Sequence, residues 1–188
     1  KDRKQIILQS LAKLLEERDA TKVTTASLAK ESGITEAALY RHFPSKRSIF
    51  LELFTFCDET IFHKVGEIKK EESIDSDEKI RLIFFFFVIF LEKNKGFARI
   101  LSREALGPNE KNVIDAVNQF YERLELSMKQ ILASEKERIQ LTPGISSHLV
   151  TSTMEGIISR FIRNGFKEMP SGYIENYWSL LARSLFKD

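Results

Sequence analysis

The sequence predicts an all-α fold in which a small three-helix head precedes a larger helical body. Only 8 Gly and 4 Pro occur among 188 residues, which favours long helices with few interruptions. Apolar residues recur at a helical period along most of the chain, and no segment shows the alternation of a strand. Hydrophobic residues make up 43% and charged residues 30%, the balance of a globular chain.

The head is predicted to start with a helix over residues 2–17. Its apolar residues at helical spacing are Ile6, Ile7, Leu11, Leu14 and Leu15. A short helix over residues 26–32 follows, with Thr24 and Thr25 as candidate N-caps. Gly33 can adopt positive φ, so it is predicted to end that helix.

A second short helix is predicted over residues 36–42, with Thr35 as its N-cap. Ser45 is then expected to cap a long helix over residues 46–71. The charged stretch over residues 69–77 lacks an apolar pattern, so we expect a solvated connection.

The body is predicted to contain five further helices separated by Gly- and Pro-containing breaks. They span residues 78–93, 97–106, 109–137, 143–166 and 171–186. The predicted division is therefore a head at residues 1–50 and a body at residues 51–188.

Two short helices joined by a glycine turn form the arrangement of a helix-turn-helix. The residues predicted to pack the pair together are Leu28, Ala29, Ile34, Leu39 and Phe43. The second helix then presents Thr35, Glu36, Ala37, Tyr40 and Arg41 outward. Residues 1–47 carry a net charge of +4 in a chain of net +2, so the remainder carries −2. A basic head on a mildly acidic body is expected of a protein that meets phosphate with one end.

The segment resembles the DNA-binding head of the TetR family, whose pattern joins T-x-x-x-L-A to G-[VI]-x-x-x-x-L-Y-x-H-F-x-x-K. The matching residues are Thr25, Leu28, Ala29, Gly33, Ile34, Leu39, Tyr40, His42, Phe43 and Lys46. The resemblance implies double-stranded DNA with a palindromic site as ligand. It also implies phosphate contacts from Thr24, Thr25, Tyr40, His42 and Lys46. The residues that it places toward bases are Thr35, Glu36 and Ala37, with Ala26 at the edge of the groove.

The chemistry of these side chains agrees with that division. A phenol, an imidazole and an ammonium are donors suited to phosphate oxygens. Glu36 could accept a hydrogen bond from a cytosine amine, and Ala37 could touch a thymine methyl. Two alternatives stay open: His42 could cap its helix, and Glu36 could be an acidic residue favoured by the helix dipole.

Beyond the head, the chain is similar to one subgroup of the family, the nucleoid occlusion factors. The similar phrases are IILQSLAKLLE, TTASLAKESGITEAALYRHFPSK, GFARILSREAL and EGIISRFIRNGFKEMPSGYIENYW. This resemblance implies binding to dispersed chromosomal sites and antagonism of the division protein FtsZ, through the C-terminal tail of FtsZ. The alternative is a TetR-type repressor that a small molecule releases from DNA.

The last two helices carry a pattern that favours a homodimer. Ser152, Gly156 and Ser159 form a track of small residues on which another helix can pack closely, so we expect a four-helix interface between two protomers. The predicted interface residues are Leu149, Ser152, Gly156, Ser159, Arg160, Tyr177, Trp178 and Leu181. The alternative is that this apolar face packs inside one protomer.

Two features of the body admit two interpretations each. The run Phe84–Phe87 could line a ligand cavity or fill the core, and core filling needs no further polar group. A partly apolar, partly basic strip could bind an acidic-hydrophobic peptide, or it could be an ordinary amphipathic edge. Its residues are Phe56, Thr60, Lys64, Ile89, Lys93 and Asn94.

Catalysis, metal binding and a cofactor are not predicted. His42, His63 and His148 lie far apart in sequence, and Cys57 lacks a second close ligand pair. No HExxH, Walker-type or G-x-S-x-G motif occurs. The longest apolar run, residues 82–91, is shorter than the roughly 20 residues of a membrane span. We therefore expect a cytoplasmic protein that does not bind membranes, and the resemblance to nucleoid occlusion factors implies that it is nucleoid-associated.

Overall fold

The predicted all-α fold is confirmed by a computed structural model, which describes residues 2–17, 22–103, 106 and 111–187. Within these residues there are nine α-helices and no strand; the single β-bridge joins Ile139 to Phe186. The helices are α1 (Arg3–Glu17), α2 (Thr25–Glu31), α3 (Glu36–His42), α4 (Lys46–Lys70), α5 (Ser76–Lys93), α6 (Lys95–Leu101), α7 (Lys111–Ser134), α8 (Pro143–Arg163) and α9 (Ile174–Leu185).

The head helices agree with the prediction to within one residue at each described end, because local signals set their bounds. Body helices end earlier than predicted at three places. Helix α6 stops at Leu101, and Arg103 has a φ of 61°. Helix α8 stops at Arg163 because Gly165 and Phe166 turn left-handed, with φ values of 68° and 62°. Helix α7 stops at Ser134, and its predicted start at residue 109 lies outside the described residues.

Helix α9 starts three residues later than predicted. The segment Pro170–Gly172 forms a 3₁₀ turn, and α9 begins at Ile174. Proline suits the first position of such a turn because it has no N–H to satisfy. The turn therefore uses the residues that the sequence pattern assigned to the first turn of α9.

The predicted solvated connection between α4 and α5 is correct only for its first part. Ser76 is buried, and both its N–H and its hydroxyl donate hydrogen bonds to the carboxylate of Glu135, at 3.2 and 2.9 Å. The guanidinium of Arg138 lies 2.7 Å from the carboxylate of Asp75. The end of the connection is therefore held against the end of α7, a long-range contact that the local sequence does not reveal.

The described chain divides into two compact units, named here unit 1 and unit 2. Unit 1 contains Lys1–Glu59 and Asn94–Asn118, and unit 2 contains Thr60–Lys93 and Gln119–Asp188. In unit 1, α6 packs on α1, and α1 packs on α2 and α3. In unit 2, α5 packs on α8 and α9. The predicted boundary at residue 50 concerns which part of the chain binds DNA, and it stays a prediction.

The core of unit 2 accounts for half of the phenylalanine run. Phe84 and Phe87 are fully buried, with Phe84 5.6 Å from the Trp178 ring and Phe87 6.0 Å from the Phe120 ring, centroid to centroid. Phe85 and Phe86 are only half-buried. Core filling therefore explains two of the four rings directly.

Candidate nucleic-acid interface

The turn between α2 and α3 depends on a left-handed glycine. Gly33 has a φ of 67°, a conformation that residues with a Cβ rarely adopt. Its N–H donates to the Lys30 carbonyl at 3.2 Å, and the N–H of Ile34 donates to the Ala29 carbonyl at 3.0 Å. A Cβ on Gly33 would meet no atom within 4 Å, so the requirement is conformational and not one of space.

Both short helices begin at a threonine cap, as predicted. The Thr24 hydroxyl accepts a hydrogen bond from the Ser27 N–H at 3.1 Å, and the Ser27 hydroxyl accepts from the Thr24 N–H at 3.0 Å. The Thr35 hydroxyl accepts from the Ala38 N–H at 3.2 Å. Each threonine oxygen is thus used by its own helix, while the hydroxyl proton can still be donated to a phosphate.

The predicted packing residues lie inside and the predicted reading residues lie outside. Leu28, Ala29, Leu39 and Phe43 are buried, whereas Ile34 is half-buried. The exposed residues among those predicted to contact DNA are Thr24, Ala26, Thr35, Glu36, Ala37, Tyr40 and Arg41. Helix α3 therefore presents a polar and small-residue face that no core contact occupies.

Glu36 and Thr25 form a contact that the sequence analysis missed. The Thr25 hydroxyl donates a 2.8 Å hydrogen bond to one carboxylate oxygen of Glu36, which joins the first turns of α2 and α3. Thr25 is half-buried, while Glu36 is exposed. The sequence does not reveal this hydrogen bond, because the two residues are eleven positions apart and lie on different helices. The contact fixes the direction of the carboxylate before any ligand arrives.

Two ammonium groups lie over aromatic rings beside α3. The Lys46 ammonium lies 5.5 Å from the centroid of Phe50, and the Lys4 ammonium lies 5.4 Å from that of Phe43. Lys46 and His42 are half-buried, so both side chains lie along the surface. His42 is in the last turn of α3 and Glu36 in its first, so each position also suits the helix dipole.

The predicted dimer face divides into exposed and buried residues. Ser152, Gly156, Ser159, Arg160 and Tyr177 are exposed, and Leu149 is half-buried. A Cβ on Gly156 would meet no atom of its own protomer within 4 Å. The small-residue track of α8 is therefore open to a second helix.

Trp178 and Leu181 lie on the inner side of α9, only 8% and 7% exposed within one protomer. The Trp178 ring packs on Phe84. Trp178 and Leu181 therefore pack inside the protomer, as the alternative interpretation of this apolar face expects. Leu180 lies outward instead and is 65% exposed. Sequence reasoning missed Leu180, although its spacing from Tyr177 by three residues places both on one face.

The predicted partner strip is shared between the two units. Phe56 and Asn94 belong to unit 1, while Thr60, Lys64, Ile89 and Lys93 belong to unit 2. Phe56 is 65% exposed in unit 1, and Thr60 and Lys64 are exposed in unit 2. The strip as a whole remains a prediction.

The buried cysteine has the environment of a packing residue. Burial raises the pKa of the Cys57 thiol to about 12, so the thiol is protonated at neutral pH. Among the described residues, no group of three or more His, Cys, Asp or Glu side chains could hold a metal ion. No helix in the described part of the chain is long and apolar enough to cross a membrane.

Comparison with known families matches both parts of the chain. Residues 7–53 match the family of bacterial regulatory proteins of the tetR type. Residues 75–186 match the SlmA-like form of the tetracyclin repressor-like C-terminal domain. These are families of DNA-binding regulators and not of enzymes.

The chain is similar over nearly its whole length to proteins called nucleoid occlusion factor SlmA. The protein of Vibrio cholerae is 38% identical over 98% of this chain and 96% of its own length. The protein of Sodalis glossinidius is 35% identical over the same shares.

Solved structures show the same fold at low identity. NalD of Pseudomonas aeruginosa, the secondary repressor of the MexAB-OprM efflux pump, has a TM-score of 0.79 at 18% identity, over 99% of this chain and 98% of NalD. A TetR transcription regulator of Haloarcula marismortui has a TM-score of 0.80 at 15% identity, over 99% of each chain.

Proposed function

The chain belongs to the TetR family, with an SlmA-like C-terminal domain, and from that membership we propose that it is a nucleoid occlusion factor. In this role it binds dispersed chromosomal sites and, when bound, antagonises assembly of the FtsZ ring over the nucleoid. The observation that carries the proposal is the 38% identity to proteins of that name over 98% of the chain. A chain with this role is cytoplasmic and nucleoid-associated.

We assign DNA binding to residues 1–50. Thr35, Glu36 and Ala37 face bases, while the phosphate contacts come from Thr24, Tyr40, His42, Lys46 and the N–H of Thr25, with Ala26 and Arg41 beside them. The Thr25 hydroxyl donates to Glu36, so the N–H is the group of Thr25 that meets the phosphate. The exposed polar face of α3, with capped helix starts at Thr24 and Thr35, supports this assignment. Free N–H groups and the dipole at a helix start favour a phosphate.

Residues 51–188 supply dimerisation and partner binding. A homodimer formed through α8 and α9 brings two heads to half-sites about one helical turn apart, ~34 Å. The exposed small residues of α8 support this face. The C-terminal tail of FtsZ would bind the predicted strip, in which the exposed ring of Phe56 suits the apolar part of an acidic-hydrophobic peptide.

The test measures binding of this chain to a peptide of the FtsZ tail, with and without a specific DNA duplex. If DNA holds the protomers in the arrangement that the tail prefers, DNA tightens tail binding, and the tail tightens DNA binding by the same factor. In a repressor that a ligand releases, the coupling between the two binding events has the opposite sign, because the effector weakens DNA binding.

Mapping of the sites that the protein binds across the chromosome is a second test of the proposed function. Dispersed sites support the proposal, whereas one or two promoters near the gene support a repressor. Absence of tail binding in both states, together with a small molecule that lowers DNA affinity, would contradict the proposed role.

A further inference from the structure

Helix α6 meets α1 at a glycine that has no room for a side chain. A Cβ built on Gly96 would lie 2.6 Å from the Ala12 carbonyl oxygen, 3.1 Å from the Ala12 Cα and 3.1 Å from the Leu15 Cβ. The first two are backbone atoms, so a rotamer change cannot relieve the contact. At the other described glycines, a Cβ would meet no atom closer than 3.9 Å.

The helix that carries Gly96 is held firmly inside unit 1. Gly96, Phe97, Ala98, Ile100 and Leu101 are all buried. The Phe97 ring lies 5.7 Å from the Phe54 ring on the first half of α4, centroid to centroid. A side chain at position 96 would therefore force α1 and α6 apart, because the closest atoms that it would meet are backbone atoms of α1.

Helix α1 is in turn tied to both helices of the helix-turn-helix. The Lys13 ammonium, one residue after Ala12, forms an ion pair with Glu31 at the end of α2. The Lys4 ammonium lies over the Phe43 ring at the end of α3. Helix α1 packs on both α2 and α3, and its apolar face is buried, as are Leu28 and Leu39. A displacement of α1 at Ala12 is thus passed on to α2 and α3.

We propose that Gly96 is a positioning residue for DNA binding, because it sets the depth at which α1 lies on α6 and thereby the position of α3. Helix α6 then acts as a further helix of the DNA-binding unit, although it is more than fifty residues away in sequence from α3. The inference rests on the proposed DNA binding of the head and goes beyond it.

The experiment uses the full chain with Gly96→Ala and, as matched control, Gly66→Ala. Gly66 lies within α4, and a Cβ there would meet no atom within 4 Å. The probes are a palindromic duplex selected by the wild-type chain from random-sequence DNA and a shuffled duplex of equal length. We expect Gly96→Ala to lower affinity for the selected duplex about tenfold, comparable to the loss of one base contact. Affinity for the shuffled duplex changes less than about twofold, because phosphate contacts tolerate small displacements.

The ratio of the two affinities separates positioning from mere destabilisation, since a smaller folded fraction lowers both affinities equally. Circular dichroism shows whether Gly96→Ala folds. If it does not, Phe97→Leu loosens the packing of α6 without adding a Cβ at the crossing. We then expect the ratio to fall about fivefold, the lower end of the usual effect of a lost contact. A ratio equal to that of the wild type in every folded variant would overturn the proposal. Failure of the wild type to select any duplex would instead contradict the proposed function.

Discussion

The helix-turn-helix of unit 1 and the last two helices of unit 2 both present a helical face to solvent, but the faces have different chemistry. The face of α3 carries short or polar side chains such as Thr35, Glu36 and Ala37. The face of α8 and α9 carries small residues beside exposed apolar ones, of which Leu180 is 65% exposed. A face that reads base edges in a groove needs small and polar side chains, whereas a face that meets protein leaves apolar area uncovered in the single chain. This difference agrees with the proposed roles of the two faces, DNA binding for α3 and dimerisation for α8 and α9.

The largest expected effect is a loss of folding stability on the inner side of α9, which is compared with a substitution on its outer side. Trp178→Ala should lower the free energy of unfolding by about 3–5 kcal/mol, because a large buried ring leaves a cavity against Phe84. Denaturant unfolding at fixed protein concentration measures it. Leu180→Ala is the matched control and should weaken dimerisation instead. Equal loss of stability in both variants would mean that Leu180 also lies in a core.

The next effect concerns the open track of α8. Gly156→Leu should shift the chain to monomer, because a bulky side chain separates helices that pack backbone to backbone. Affinity for a palindrome should then fall by about 10²-fold or more, since the second head no longer binds from the same molecule. Sedimentation and DNA titration measure the two outcomes. As a control, Gly66→Leu adds the same side chain to α4 and should leave the dimer intact. If the Gly156→Leu variant stayed dimeric, the dimer interface would lie elsewhere.

A smaller effect tests the roles within the head. Lys46→Ala should weaken binding to every sequence several-fold and reduce the slope of log affinity against log salt by about one, because one phosphate contact disappears. Tyr40→Phe should weaken binding to all sequences without changing that slope. Substitutions at Thr35 or Glu36 should change the preferred base instead. If Lys46→Ala altered base preference and kept the salt slope, the roles would be assigned wrongly.

The smallest effect concerns the rate at which the Cys57 thiol reacts, which tests how tightly unit 1 packs around it. Burial raises the pKa of this thiol to about 12, so it should react with a maleimide far more slowly in the native chain than in the denatured chain at pH 7. The raised pKa favours the folded chain below the ordinary thiol pKa, and this contribution is lost as pH rises toward 12. Mass spectrometry of the labelled chain measures it. Rapid native labelling would show that this part of α4 opens readily.

The helices of the head could be predicted almost to the residue because their limits are local. Thr24 and Thr35 cap the first turn of their own helices, and Gly33 supplies a turn that its neighbours cannot. Each signal acts within four residues, so the sequence shows it directly.

Contacts between distant segments could not be predicted in the same way. The spacing on α9 shows an apolar face, but packing on Phe84 decides that Trp178 is inside while Leu180 is outside. Similarly, Gly96 belongs to unit 1 through its contact with Ala12, and no local pattern reports that contact. The early end of α8 at Arg163 depends on Phe166, an aromatic residue at positive φ whose ring lies 4.8 Å from that of Phe161.

The hydrogen bond from Thr25 to Glu36 has a consequence for how sharply one base can be told from another. A freely rotating glutamate must lose rotamer freedom when it accepts from a base, at a cost of about 0.5–1.5 kcal/mol for such a side chain. In this chain one carboxylate oxygen is already held at 2.8 Å, and the second can still accept from a cytosine amine. Part of the ordering is thus complete in the unbound protein, so that, if Glu36 reads a base as proposed, a cytosine gains more from it than from a flexible side chain. The threonine hydroxyl would thereby increase the selectivity of a residue on the neighbouring helix without touching DNA bases itself.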